Sequence, residues 1–474
     1  MTLPAKFVER VLRDLGGTGG AALCAALDAE PPVSVRLNPA KTGADTLPAG
    51  PDAGLPVPEA AGLPALAIAG RVPWSRDGRY LAVRPSFTLD PDFHAGAYYV
   101  QEASSQFVGH LLAAVRTEGA RILDLCAAPG GKTTLYASLA GPDGLVVANE
   151  IDRRRASVLA DNVRKWGTGN VAVTTCEPRA LGDFEAWFDV VAVDAPCSGE
   201  GMFRKDPDAR GEWSEGNVKQ CAARQDEILR EAWRALKPGG TLVYSTCTFN
   251  RDEDEGALER MAAWAGDEIA ESEETAVEDA WGIVCGRVGA FRTFRFYPHR
   301  TCGEGFFAAV ARKSFDAGGR VRAPKARRTV FAAVDRKTAG ELARWVRNPG
   351  GMRFAAVADT CYAWYAAQAD AVRTLSEALP VIYSGVALGQ VFKGVLKPDP
   401  ALAFFDGLNR GALPAAELDD EETLRFLRRQ DIAAGGLAEG MNLVCSRGRA
   451  LGFAKRIGAR VNNLYPNSLR IIKQ

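Results

Sequence analysis

The sequence predicts an α/β fold whose central sheet is largely parallel and covered by helices on both faces. Two observations carry that expectation. Between residues 121 and 246, short apolar segments alternate with segments long enough to be helices. Each short segment is also apolar nearly throughout, the pattern of a strand buried on both faces. Taken in order, RILDL (121–125) is a strand, Thr133–Ala140 a helix, LVVAN (145–149) a strand, Arg153–Trp166 a helix and NVAVTT (170–175) a strand. DVVAVD (189–194) follows as a strand, Val218–Leu236 as a long helix ended by the turn KPGG, and TLVYST (241–246) as a strand. Parallel neighbours need a crossover, and these helices supply it. Ligands of such sheets bind beyond the carboxyl ends of the strands, so chemistry is sought in the residues just after each strand.

Residues 116–313 are assigned to this domain. Residues 1–115 read as an N-terminal α+β extension. It opens with an amphipathic helix, Pro4–Leu15, with Phe7, Val8, Val11, Leu12 and Leu15 on its apolar face, and becomes rich in Pro, Gly and Ala from Thr42 to Gly70, the composition of irregular connection with short strands. The polar, basic segment SFDAGGRVRAPKARR reads as a linker over 314–328. Residues 329–474 mix helix-like stretches (Ala339–Val346, Glu421–Gln430) with β-rich runs such as LPVIYSG and MNLVCS, which suggests one or two small α+β modules.

At 474 residues, 47% hydrophobic and 24% charged, the chain has the composition of a folded multidomain protein. No apolar run approaches the ~18 residues that span a bilayer, and the start lacks a secretory signature, so a cytoplasmic protein is expected. Ten cysteines without a CxxC pair, and three histidines (His94, His110, His299), give no metal-ligand pattern, and no metal is expected. The formal net charge of +0 argues at face value against a polyanion partner. It is a sum of opposites: residues 314–474 hold 24 Lys+Arg against 15 Asp+Glu, and the final fifty hold 10 against 2, interleaved with Phe426, Phe453 and Tyr465. A basic tract of this kind can neutralise phosphates.

DLCAAPGGKTT (124–134) joins the first strand to its helix, with Gly130 and Gly131 allowing close backbone approach to a ligand at a helix start. A phosphate-binding loop is excluded, because its first glycine would fall on Cys126. Glu150, at the tip of the second strand and about 20 residues past the glycine loop, is placed to accept from a ribose. Glu177, past the third strand, could accept from an adenine amino group. Asp194 and Cys197 follow the fourth strand in DAPCSGEG, and Cys247 follows the fifth in YSTCT, so two adjacent parallel strands would present two thiols at one edge. C5 of cytosine is a poor nucleophile until a thiolate adds to C6, which makes C5 enamine-like and able to accept a methyl group from a sulfonium donor. The thiol must lose its proton, and Arg204 and Lys205 are candidates for the positive charge that helps it. Asp194 suits the N3/N4 edge of the base. The residues alone leave open which thiol attacks.

DLCAAPGGKTT, DAPCSGEG and YSTCT, with SVRLN (34–38), AYYVQEASS (97–105) and RFYPHRTCGEGFF (295–307), resemble the RNA (cytosine-C5) methyltransferases of the Nop2/NSUN superfamily over residues 1–313. With its carboxyl-terminal extension the chain is similar to the longer bacterial RsmF-type enzymes, which modify small-subunit (16S) ribosomal RNA near the decoding centre. The resemblance implies a Rossmann-like domain using S-adenosylmethionine, preceded by an RNA-binding extension at 1–115, with Cys247 as nucleophile and Cys197 as the thiol that helps release. DNA cytosine methyltransferases attack with the Pro-Cys thiol instead. It further implies cofactor contacts from Cys126, Ala127, Ala128, Pro129, Gly130, Gly131, Lys132, Glu150, Arg155, Glu177 and Asp194. Family members often carry Asp at the position of Glu177. KRIGARVNNLYPNSLRI (455–471) resembles a PUA-like RNA-binding module. The expected partner is ribosomal RNA or the small subunit, met by a monomer. A tRNA substrate is the alternative, and a non-catalytic ribosome-assembly factor the alternative of another class.

Overall fold

Alternation along the central strands decides the layering. Ile122, Val146, Val173, Val190 and Val243 pack into one core, and their chain neighbours Leu123, Val147, Ala172, Val191 and Leu242 into another on the opposite face. Helices cover both: Leu135, Leu159 and Val163 close the first, and Ile228, Leu229 and Met261 the second. The computed structural model describes residues 2–43 and 63–473.

The N-terminal extension is a helix, Ala5–Leu27, and a small antiparallel sheet in the order β2-β3-β1-β4, where β1 is Val33–Leu37, β2 Ile68–Arg71, β3 Gly78–Leu81 and β4 Tyr98–Tyr99. The expected helix ending at Leu15 continues to Leu27, across a left-handed break at Gly16 (φ +72°). Most of the Pro/Gly/Ala-rich stretch, residues 44–62, lies outside the described residues.

Five strands run parallel at the centre: β5 (Arg121–Leu125), β6 (Leu145–Asn149), β7 (Val171–Thr174), β8 (Phe188–Asp194) and β9 (Leu236–Thr246). The KPGG turn is absorbed into β9. Gly239 takes φ +77°, and the register with β8 slips between Phe188 and Val190. Beyond β9 the sheet is antiparallel, through β10 (Ile269–Ala270), β11 (Val284–Val288), β12 (Phe291–Phe296) and β13 (Phe306–Lys313), in the order β11-β12-β13-β9 with β10 against β13. The fold is therefore a mixed α/β sheet of the Rossmann-like kind.

The chain after residue 313 is bound into this body. β14 (Ala332–Ala333), β15 (Met352–Val357) and β16 (Thr360–Tyr365) begin a five-stranded sheet, and β17 (Val381–Ser384) leaves it to pair antiparallel with β7 at the edge of the central sheet. β18 (Val386–Phe392) and β19 (Val395–Pro398) then complete the five-stranded sheet. A last sheet orders β20 (Ala415–Glu417), β21 (Gly440–Ser446), β22 (Arg449–Ile457) and β23 (Arg460–Asn463) as neighbours. Its Arg447 and Arg449 reach Asp92 of the N-terminal extension at 2.9 and 2.8 Å.

The segment SVRLN ties the N-terminal sheet to the central domain. Ser34 Oγ donates to Gln101 O (2.7 Å), and Asn38 Nδ2 donates to Gly96 O (3.0 Å) and Trp166 O (2.9 Å). Arg36, 1% exposed, donates to Gln101 Oε1 (2.8 Å), Thr134 Oγ1 (2.6 Å) and Gly131 O (3.2 Å), and lies 4.5 Å from the centre of the Trp166 ring. Burial lowers its pKa to about 10, against the opposing pull of Asp77. Arg36→Ala removes a stack and three hydrogen bonds and opens a cavity between two layers. We expect a loss of about 3 kcal/mol, read as a lowered midpoint in urea unfolding.

Candidate active site

The ends of β5, β8 and β9 meet in one cleft. After β5 the chain passes through Cys126, Ala127, Ala128, Pro129, Gly130, Gly131 and Lys132 into the helix Gly131–Ala140. Cys126 (φ +62°) and Gly130 (φ +110°) hold left-handed backbone. Only glycine suits the second position, since a Cβ would stand 2.9 Å from Leu159 Cδ1. Side chains from outside fix the loop by its carbonyls: Arg155 Nη2 donates to Ala128 O (3.0 Å), and Asn162 Nδ2 (2.8 Å) and Tyr99 Oη (3.2 Å) both donate to Pro129 O. The first N–H groups of the following helix have no partner within it, which suits an anionic group of a ligand.

A cavity of about 150 Å³ opens between this loop, Tyr99–Glu102 and Asp194. Two buried polar atoms of its lining residues, Gln101 Nε2 and Asp124 Oδ1, have no hydrogen-bond partner among the described residues. A donor and an acceptor left open in one cavity beside a helix start fit a ligand that brings an amino group and a carboxylate, as S-adenosylmethionine does. Burial pushes the Asp124 carboxyl up to about 7, although Thr133 Oγ1 donates to it at 2.6 Å. Glu150 and Arg155 stand behind the loop. Glu150 is buried, accepts from Asp152 N–H (3.0 Å) and holds Arg155 Nη1 at 3.2 Å. Glu177 is exposed at the start of the short helix Pro178–Gly182, with no capping bond from its side chain.

Beyond β8 and β9, Cys197 Sγ and Cys247 Sγ stand 3.4 Å apart. Beside them Lys132 Nζ is 2.9 Å from Asp194 Oδ2, and Ser245 Oγ donates to Asp194 Oδ1 (2.8 Å). The hydrogen bond from Cys197 holds the Cys247 thiol below its usual range, helped by Lys132 and opposed by burial and Asp194. The same bond, with burial, pushes Cys197 well above its usual range. Burial opposes the charge of Lys132, but Asp194 outweighs it and raises the lysine. The structure thus corrects the expected source of positive charge. Arg204 is committed to Glu304 (3.0 Å) and Gly303 O (2.7 Å), Lys205 is exposed, and Lys132 of the glycine loop takes their place. Ser245 and Gln101 were not singled out from the sequence, although both fall inside segments that carried the resemblance. Asp124 was also passed over, yet a carboxylate inside the apolar strand RILDL is itself a signal.

The chain matches three family descriptions: the N-terminal domain of 16S rRNA methyltransferase RsmF at residues 3–103, 16S rRNA methyltransferase RsmB/F at 111–312 and the methyltransferase RsmF PUA domain at 414–471. Ribosomal RNA small subunit methyltransferase F of Shewanella loihica is 32% identical over 418 residues, covering 84% of this chain and 83% of the relative. This chain belongs to the ribosomal RNA small subunit methyltransferase F family. The same protein of Erwinia tasmaniensis is 31% identical, with 84% of each chain covered. Among solved structures, a methyltransferase homolog protein from Pyrococcus horikoshii is 27% identical with a TM-score of 0.51, covering 66% of this chain and all of that one (100%). NSun6 from Pyrococcus horikoshii, solved with SFG, shares the fold at a TM-score of 0.53, 20% identity and 65% and 98% coverage. Membership makes the chain an S-adenosylmethionine-dependent ribosomal RNA methyltransferase with a PUA domain at its end. Among the described residues, no helix is long and apolar enough to cross a membrane. Gly130→Ala should strain the turn against Leu159 and weaken S-adenosylmethionine binding about tenfold, measured by calorimetry, with the melting temperature little changed.

Proposed function

We propose that this methyltransferase forms 5-methylcytosine in small-subunit (16S) ribosomal RNA, at a cytosine near the decoding centre, through a covalent adduct between Cys247 and C6 of the base. The reading is supported above all by the 3.4 Å contact between two half-buried thiols, one held below and one above the ordinary range, beside a lysine and an aspartate.

S-adenosylmethionine bound in the 126–132 loop supplies an electrophilic methyl group. Cys247, as thiolate, adds to C6 and gives C5 the electron density to take that methyl. The C5 proton is then lost to a base, the C6–sulfur bond breaks and the thiolate leaves. Cys197, with its sulfur 3.4 Å from that of Cys247, helps it leave. Asp194, fixed by Lys132 and Ser245, offers its carboxylate to the exocyclic amino group of cytosine. Outside the cleft, Arg425, Arg428 and Arg429, together with Glu421 and Asp431, line one cavity of about 690 Å³, and Arg428, Arg470 and Lys473 line a second of about 490 Å³. This surface suits phosphates. We place the enzyme in the cytoplasm as a monomer.

Cys247→Ala should abolish methylation of ribosomal RNA, and Cys197→Ala should accumulate a protein–RNA band that survives denaturing electrophoresis. Bisulfite sequencing of RNA after reaction locates the base, and naked ribosomal RNA, small subunits and tRNA compared as acceptors test the substrate. A lowered Cys247 thiol loses its proton at a pH below that of a free thiol. The acid limb of kcat should therefore fall below the ordinary thiol value of about 8.5, and an inflection at or above it counts against Cys247 as the attacking group. Arg428→Ala and Arg470→Ala should each lower the salt slope of RNA binding by about one, read by filter binding between low and moderate salt.

A further inference from the structure

A third buried group links the two cysteine loops, and the chemistry above does not use it. Glu253, 0% exposed, lies seven residues past β9. Its Oε2 accepts from Ser198 N–H (2.8 Å) and Gln225 Nε2 (3.2 Å), and its Oε1 accepts from Ser198 Oγ. Ser198 Oγ in turn lies 3.0 Å from Thr248 Oγ1, and Gln225 Nε2 also donates to Pro196 O (3.0 Å). Ser198 follows Cys197 in the chain and Thr248 follows Cys247, so one carboxylate joins the residues next to both thiols. Gly201 N–H adds a second tie across the loops, to Cys247 O (2.9 Å).

Three donors converge on this group, and a carboxylate has the lone pairs to accept them all. It also carries charge into the interior, and Glu253 makes no ion pair among the described residues. The ionisable groups acting on or acted on by it are Cys197, Cys247, Cys221, Glu200, Tyr244 and Asp254, none of them cationic. Burial pushes its carboxyl up to about 7 against the bonds from Ser198. A buried carboxylate without a cation costs stability that an apolar link would not, so what it gives in return is sought at the thiols it borders.

We propose that Glu253 is a positioning residue, clamping the Pro196–Ser198 loop to the Thr246–Thr248 loop so that Cys197 Sγ stays within hydrogen-bonding reach of Cys247 Sγ as its donor. The proposal rests on the two-thiol reading of the reaction. When ionised, Glu253 also raises the proton affinity of both thiols, so its part in setting which one donates is the geometric clamp.

The test uses the full-length chain and reads alkylation of Cys247 by iodoacetamide against pH, by mass spectrometry of its peptide, without RNA or methyl transfer. Glu253→Ala removes the acceptor of Ser198 N–H. The Cys247 inflection should move up by about one pH unit, and kcat on ribosomal RNA should fall by about two orders of magnitude with KM for RNA little changed. Glu253→Gln can turn its oxygen to Ser198 N–H and Gln225, and its amide to Ser198 Oγ, so it should recover most of both losses, with the inflection at or below the wild-type pH. A wild-type inflection in Glu253→Ala, or equal losses in the two variants, overturns the proposal. Should Glu253→Ala fail to fold, Ser198→Ala, which cuts the Oγ links alone, should show a smaller upward shift, and no shift there overturns the proposal. If Cys247→Ala still methylates RNA, the two-thiol reading fails by itself, and the alkylation profile remains a separate answer about the clamp.

Discussion

The parallel pairing of β8 with β9 sets Asp194 opposite Ser245, and the site depends on that register. Both strands end at the same level, so the loops that leave them start side by side. Cys197 comes three residues after Asp194 and Cys247 two after Ser245, close enough in chain for neither loop to wander. A shift of one residue would turn the side chains of one strand to its other face, taking Ser245 away from Asp194. The cores packed against both faces prevent such a slip. The rigidity of the cleft is thus inherited from Val191, Val193, Leu242 and Tyr244 on one face and Val190, Ala192 and Val243 on the other.

Within that frame a cation and the hydrogen bond between the sulfurs share the electrostatic sorting. Lys132 is largely shielded from water, and that alone would lower it; Asp194 at 2.9 Å restores its charge and spends part of its field in doing so. What remains acts on Cys247, in a low-dielectric site where a nearby charge counts for more than in water. The cation alone does not decide between the sulfurs. The hydrogen bond between them does, since it favours one thiolate by disfavouring the other. The pair therefore titrates as a unit, and any group that changes its spacing changes its chemistry.

The central strands and the thiols at their ends were legible in the sequence because both depend on local pattern: apolar runs, crossover helices, and motifs directly after strands. Residues whose partners are distant in the chain were not. Arg204 and Lys205 lie near Cys197 in sequence, but Arg204 is drawn to Glu304, one hundred residues on, while Lys132 arrives from the glycine loop. Arg36 was visible only as part of a motif, because its partners Gln101 and Thr134 are brought to it by the packing of two sheets. The basic tail was correctly seen as charge, yet part of that charge faces inward: Arg447 and Arg449 hold Asp90, Asp92 and Asp420.

β17 was the least foreseeable element and it changes how the C-terminal region relates to the catalytic one. A sheet edge left bare invites pairing with other chains, and here Val381–Ser384 cover the edge of β7. Pairing is antiparallel, so β17 enters where β7 ends. Thr175 N–H bonds Pro380 O (3.2 Å) just before Cys176 and Glu177, on the same edge of the sheet as the 126–132 loop. Tyr383 joins one core and Trp364, Val372 and Leu375 the other, so the middle of the C-terminal region is interior to the catalytic body. The last sheet is fastened to the N-terminal extension through Asp92. Removing everything after residue 313 would then strip an edge strand and parts of two cores along with the basic surface. Lost RNA binding in such a truncation would mix unfolding with missing phosphate contacts, whereas single substitutions at Arg428 or Arg470 leave the sheet intact and isolate the charge.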